Sequence, residues 1–152
     1  MAHDHDLTFA PPIENGIVVG HDASPSADRA LGWAGEEAQL RNCPLHVVRA
    51  WRVNDAPRPK HLPPGVVPSE DEFAQAVVDE LKRSVAGVLV ADVVVHLHPI
   101  HAHPEQALVA ASVHADLLVV SSRGRGRVAR LLGSTSSYVV EHADCPVVVL
   151  RG

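Results

Sequence analysis

Residues 16–26, Gly-Ile-Val-Val-Gly-His-Asp-Ala-Ser-Pro-Ser, decide the fold. Ile17, Val18 and Val19 make a continuous apolar run ending at Gly20, the pattern of a short strand buried on both faces. Ser24 and Ser26 flank Pro25 directly after it, so capping hydroxyls and a proline suited to a first helical turn stand together. Ala27, Ala30, Leu31, Ala34 and Ala38 then recur at helical spacing, with Asp28, Glu36, Glu37 and Arg41 outside the stripe. One strand thus passes into one helix through a short polar turn.

The same unit repeats along the chain. Leu45 to Trp51 reads as a second strand. A loop bearing Pro57, Pro59, Pro63, Pro64 and Pro68 leads to a helix over 69–85 whose apolar face is Phe73, Ala76, Val77 and Leu81. A third strand is expected over 93–98, a third helix over 104–114, a fourth strand over 117–121, a short helix over 134–142 and a last strand over 146–151. Residues 1–15 show no periodicity and read as a flexible amino-terminal arm ahead of one domain, 16–152. Strands alternating with helices require parallel pairing, because each crossover is right-handed and lays its helix on a sheet face. The expected fold is therefore α/β: an open, doubly wound, five-stranded parallel sheet of order 3-2-1-4-5 with helices on both faces. Its topological switch falls between strands one and four, where ligands bind beyond the strands' carboxyl ends. The segments flanking that point are Gly20–Ser24 and Ser121–Gly126.

Composition narrows the function. At 152 residues, with 46% hydrophobic, 20% charged and only 3% aromatic residues, the chain suits one Val-, Ala- and Leu-rich core. A net charge of −5 argues against a nucleic-acid partner. No apolar run reaches the roughly 18 residues of a membrane span, and the first residues lack the basic and apolar regions of a signal peptide, so a soluble cytoplasmic protein is expected. Cys43 and Cys145 precede strands expected to lie roughly 14 Å apart, too far for a disulfide, and read as small buried hydrophobes. Among the 11 histidines, His96 and His98 share a strand face and His101, His103, His3 and His5 invite a metal reading. No cysteine or carboxylate set completes a site at familiar spacing, so solvated histidines and no metal are expected.

The stretch Ser121-Ser-Arg-Gly-Arg-Gly-Arg127 opens a segment with four arginines and no acid, which ends in Gly133-Ser-Thr-Ser-Ser137. Glycines admit a phosphate to backbone amides, and the amino end of the following helix adds unpaired amides and a favourable dipole. The residue types equally fit a solvated basic loop with Ser134 capping the helix. No lysine stands where a Walker A motif needs one.

In five segments taken in order the sequence resembles the universal stress protein family over 16–151. They are Ile17-Val-Val-Gly-His-Asp-Ala-Ser-Pro-Ser, Pro44-Leu-His-Val-Val-Arg-Ala-Trp, His103-Pro-Glu-Gln-Ala-Leu, Ala115-Asp-Leu-Leu-Val-Val-Ser-Ser-Arg-Gly-Arg-Gly, and Gly133-Ser-Thr-Ser-Ser-Tyr-Val-Val with Cys145-Pro-Val-Val-Val-Leu-Arg. The resemblance implies a stress or signalling protein that responds to ATP or a related nucleotide. It places Asp22 against adenine, a backbone contact near Ala50 or Trp51, and the phosphates on Ser121, Arg123, Gly124, Gly126, Gly133, Ser134 and Thr135. Two departures from the family's phosphate motif stand out: Ser121 replaces a glycine, and eight residues rather than nine separate Gly124 from Gly133. Ala23 and Ala102 also stand where glycine is expected. Asp22 has a second reading as a cap on the amide of Ser24 or the residue after it.

The resemblance further implies a homodimer through the last strand, where Val147 to Leu150 is an apolar run that a sheet edge cannot safely leave open. A nucleotide-independent dimeric interaction module is the alternative function, and slow ATP hydrolysis a more remote one. No nucleophile, base and orienting group line up at the expected cleft, and no catalytic residue is assigned.

Overall fold

The first strand forms where the Ile-Val-Val run places it: β1 spans Ile17–Gly20 and its three aliphatic residues are buried. The structure, a computed structural model, describes residues 11–122 and 132–151. Ser24 caps helix α1 (Pro25–Arg41), its Oγ accepting the Ala27 amide at 3.1 Å with Pro25 in the first turn. Asn42, in the left-handed conformation, ends that helix. After β2 (Leu45–Trp51), Ser69 and Glu72 close a reciprocal capping box at the start of α2 (Glu70–Val88). β3 (Val95–His101), α3 (Pro104–Ala111), β4 (Leu117–Ser121), α4 (Ser134–His142) and β5 (Val147–Leu150) complete the order.

Among the described residues the five strands pair in the order β3-β2-β1-β4-β5, and every pairing is parallel. Ile17 stands beside Leu45 on one side and Leu117 on the other, which makes β1 the central strand. Strand alternation divides the core in two. Ile17, Val19, Leu45, Val47, Leu117 and Val119 pack under Leu31 and Ala34 of α1 and Val77 and Leu81 of α2. Val18, Val48, Leu118 and Val120 pack against Ala107, Leu108 and Ala111 of α3 and Val139 of α4. The expected fold and strand order are what the structure shows.

Four local expectations need correction. Ile13, assigned to the arm, is buried at 5% exposure in the α3/α4 layer, so the packed chain begins before residue 16. β3 lies over 95–101 rather than 93–98, because its Leu45↔Val95 register carries the ladder to His101 opposite Trp51. α3 stops at Ala111, short of His114; the Ser112 Oγ turns back to donate to the Val109 carbonyl and accepts the Asp144 amide. Finally, the strand-three histidines do not form a uniformly solvated face. His96 is exposed, but His98 is half-buried against buried His46 on β2, with 2.9 Å between His98 Nε2 and His46 Nδ1.

Candidate functional site

β1 and β4 diverge at their carboxyl ends because their following helices go to opposite faces, α1 to one and α4 to the other. The gap holds a cavity of about 290 Å³, at the small end of the range for ligand pockets. The end of β1 contributes Gly20, the β1–α1 turn His21 and Asp22, β2 Val48 and Ala50, and the first turn of α4 Ser134 and Thr135. Gly20 allows the close approach of α3: a Cβ there would lie 3.1 Å from both Leu108 methyl carbons.

The turn is built from its own side chains. Asp22 is exposed, and its Oδ1 accepts the Ser24 amide at 3.0 Å, so the capping bond weighed from sequence is present. His21, buried, packs on the α1 side, where Nε2 meets Asp28 Oδ1 at 2.8 Å and Nδ1 accepts the Ala23 amide at 3.1 Å. Ala23 holds φ of 68°, the left-handed region, as expected of a position suited to glycine. Ala102, the other such position, is not among the positive-φ residues.

On the opposite wall the Ser136 hydroxyl donates to the Ser121 carbonyl at 2.6 Å, and the Gly133 amide donates to the Ser122 carbonyl at 2.9 Å. These bonds dock the first turn of α4 onto the end of β4. Gly133 is the cap residue, and no side chain caps this helix. Its opening amides and dipole therefore face the cavity as an anion-favouring end.

Of the sequence-expected contacts, the structure brings Asp22, Ala50, Ser121, Gly133, Ser134 and Thr135 to one cavity. Trp51, expected to offer a backbone contact, is not among the residues that line this cavity. Alternation turns its indole to the α1/α2 side, where it is 1% exposed, lies 4.1 Å from the His101 ring and tilts against Phe73 at 5.4 Å. Arg123, Gly124 and Gly126 lie outside the described residues. Sequence reasoning missed four polar contributors: His21, Arg49, Asp55 and Ser136. Arg49 is ion-paired with Glu80 of α2, so its charge is already matched. Asp55 enters because the loop after β2 turns back on itself, its carboxylate accepting the Arg52 amide at 2.8 Å. The Ser136 signal was present in sequence as a small polar residue on the inward face of an otherwise apolar helix stripe.

No group of three metal-ligating side chains suited to an ion occurs among the described residues, and none of their helices is long and apolar enough to cross a membrane. Cys43 and Cys145 are free and half-buried, and burial pushes both thiols up from their ordinary range.

The model of the universal stress protein family matches residues 15–151. A universal stress protein of Mycobacterium tuberculosis is 38% identical over 140 residues, covering 90% of this chain and 47% of its own length. A universal stress protein of Thermus aquaticus is 33% identical over 147 residues, covering 89% of this chain and 97% of its own. This chain thus spans about half the length of the mycobacterial relative. Among solved structures, a universal stress protein in complex with cAMP is 29% identical with a TM-score of 0.60, covering 90% of this chain and 95% of that one. A universal stress protein from Archaeoglobus fulgidus in complex with dAMP is 27% identical, also with a TM-score of 0.60, covering 90% of this chain and 97% of that one. Matched along nearly all its length, with its strand order and cleft in the places these motifs require, the chain belongs to the universal stress protein family.

Proposed function

We propose that this protein is a nucleotide-responsive stress or signalling protein that holds an adenine nucleotide, ATP in the first instance, in the cleft between β1 and β4. The observation that carries this reading is the convergence of Asp22, Ala50, Gly133, Ser134 and Thr135 on one cavity at the topological switch. The chemistry divides along its walls. The Asp22 carboxylate is an acceptor suited to an exocyclic amino group, and the Ala50 backbone adds a second polar contact at the adenine end. The uncapped start of α4, with two hydroxyls beside it, suits a phosphate. Two structural neighbours were solved with cAMP and dAMP, which share an adenine and a single phosphate. The site is read as one of binding and response, without turnover.

The test is a calorimetric titration of nucleotide-stripped wild type and Asp22→Ala with ATP, AMP and cAMP. We expect the variant to lose about tenfold in affinity, as one hydrogen bond to a charged acceptor is removed, while its urea midpoint falls only modestly with the loss of the exposed carboxylate's bond to the Ser24 amide. Equal affinities in two folded proteins would remove Asp22 from the site.

A dimer through β5 belongs to the same proposal. Among the described residues β5 pairs with β4 and with no other strand, leaving its second edge without a strand partner there, and Val147 to Leu150 are all half-buried in the single chain. Pairing with a second copy would cover that edge. Sedimentation at micromolar concentration is expected to give twice the 16.2 kDa chain mass; a monomer mass would exclude the interface. A nucleotide-independent dimeric module is favoured by the two departures from the phosphate motif, Ser121 in place of glycine and the eight-residue spacing from Gly124 to Gly133, and titration separates it from the first reading.

A further inference from the structure

We propose that His21 is a positioning residue for the cleft: its imidazole holds Ala23 in a left-handed turn and so fixes where Asp22 stands. The turn that presents Asp22 contains no glycine, yet Ala23 has φ of 68°. A side chain in that region is held there only if neighbouring contacts over-determine it. The Ala23 amide donates to His21 Nδ1 at 3.1 Å, which makes Nδ1 the unprotonated nitrogen and Nε2 the donor. Nε2–H then donates to Asp28 Oδ1, in the first turn of α1, at 2.8 Å.

The ring is fixed from behind as well. The His21 side chain is 1% exposed, and the residue's own amide donates to the Val48 carbonyl at 2.9 Å, extending the β1–β2 ladder by one bond. One residue therefore ties the end of the sheet, through its amide, to the strained turn and the start of α1, through its imidazole. Asp22, directly ahead of the two anchored amides of Ala23 and Ser24, accepts the Ser24 amide through Oδ1, and its exposed carboxylate presents Oδ2 to a ligand. Neither His21 nitrogen is free for a ligand, so the residue acts through Asp22. This inference rests on the nucleotide reading of the cleft.

The clamp makes a specific prediction for four variants. His21→Leu removes both bonds and is expected to weaken adenine nucleotide binding about tenfold, the loss of one well-placed contact. Adding Ala23→Gly to it should restore affinity to within about threefold, because glycine takes the left-handed turn without a clamp. His21→Gln, whose amide presents an acceptor and a donor at a spacing similar to the imidazole's, should bind nearly as wild type does. Ala23→Gly alone should raise Tm by about 2–4 °C. A residue that merely filled space would not be rescued by a substitution two positions away.

Amide hydrogen exchange at Ala23 reads the clamp without any nucleotide: slow in wild type, and much faster in His21→Leu. Unchanged exchange, or a double variant as weak as His21→Leu, would overturn the inference. If wild type binds no adenine nucleotide but the exchange difference is found, the clamp stands as a property of the turn and the proposed function fails by itself.

Discussion

Replacing Gly16 by alanine is expected to destabilise the fold by about 3 kcal/mol, combining backbone strain with a steric clash. Gly16 has φ of +102°, and a Cβ there would stand 2.5 Å from the Pro44 carbonyl oxygen. That oxygen has little freedom to retreat, because it accepts the Ile17 amide at 3.0 Å at the mouth of the β1–β2 ladder and belongs to a ring-constrained residue. Gly16 is held on its other side too. Its amide donates to Asp116 Oδ2 at 2.9 Å, and its carbonyl accepts the Asp116 amide at 2.8 Å, where β4 begins. The central strand thus enters the sheet through a point fixed by both neighbours. Urea unfolding should show a lower midpoint with an unchanged slope; a loss under about 0.5 kcal/mol, typical of exposed positions, would refute this account of the strand's start.

The second large effect is with pH. His46 donates from Nε2 to the Asn15 carbonyl at 3.1 Å, so its Nδ1 is the acceptor that meets His98 Nε2. The His46 ring also stacks on the rings of His96 and His98, at 5.0 and 5.1 Å. Burial first, and then the charges of His46 and His96, bring the His98 imidazole down to about 4. Burial also lowers His46, partly offset by its bond to the Asn15 carbonyl. The folded protein therefore prefers both rings neutral, while the unfolded chain takes up protons near the ordinary histidine value. Their contribution is complete above about pH 6.5 and is lost as pH falls from there toward 4.

Allowing for solvent screening at the partly exposed His98, the loss by pH 4 is about 1–2 kcal/mol. It is measured as the difference in unfolding free energy between pH 7.5 and 4.5, in wild type and in His98→Gln. The variant should show a shallower dependence. Identical slopes would mean that the histidine group does not couple folding to pH.

These histidines also show where sequence reading reaches its limit. The βα alternation was legible because buried parallel strands need unbroken aliphatic runs, as in Ile17–Val19 and Leu117–Val120, and because caps such as Ser24 and Ser69 are local in sequence. Strand order followed from crossover handedness. Pairing of His46 with His98 depends on the exact register of β2 against β3, which no local pattern records; a two-residue error at the start of β3 was enough to hide it. Alternation separates side chains at the end of β2: Ala50 faces the cleft while the Trp51 indole turns to the α1/α2 core. His21 went unnoticed because its partners, the Ala23 amide and Asp28, are brought to one ring only by the left-handed turn between them.

Asp22, Ser121, Gly133, Ser134 and Thr135 were legible because the topology itself sends them to the switch point. What the site holds is a question of chemistry rather than of fold. The most direct test is an amide-resolved NMR titration of the full chain with ATP and with AMP. The account predicts saturable shifts at micromolar to submillimolar ligand, concentrated at residues 20–24, 48–50 and 133–136, one ligand per chain. No shifts up to millimolar nucleotide, or shifts gathered elsewhere on the sheet, would contradict it.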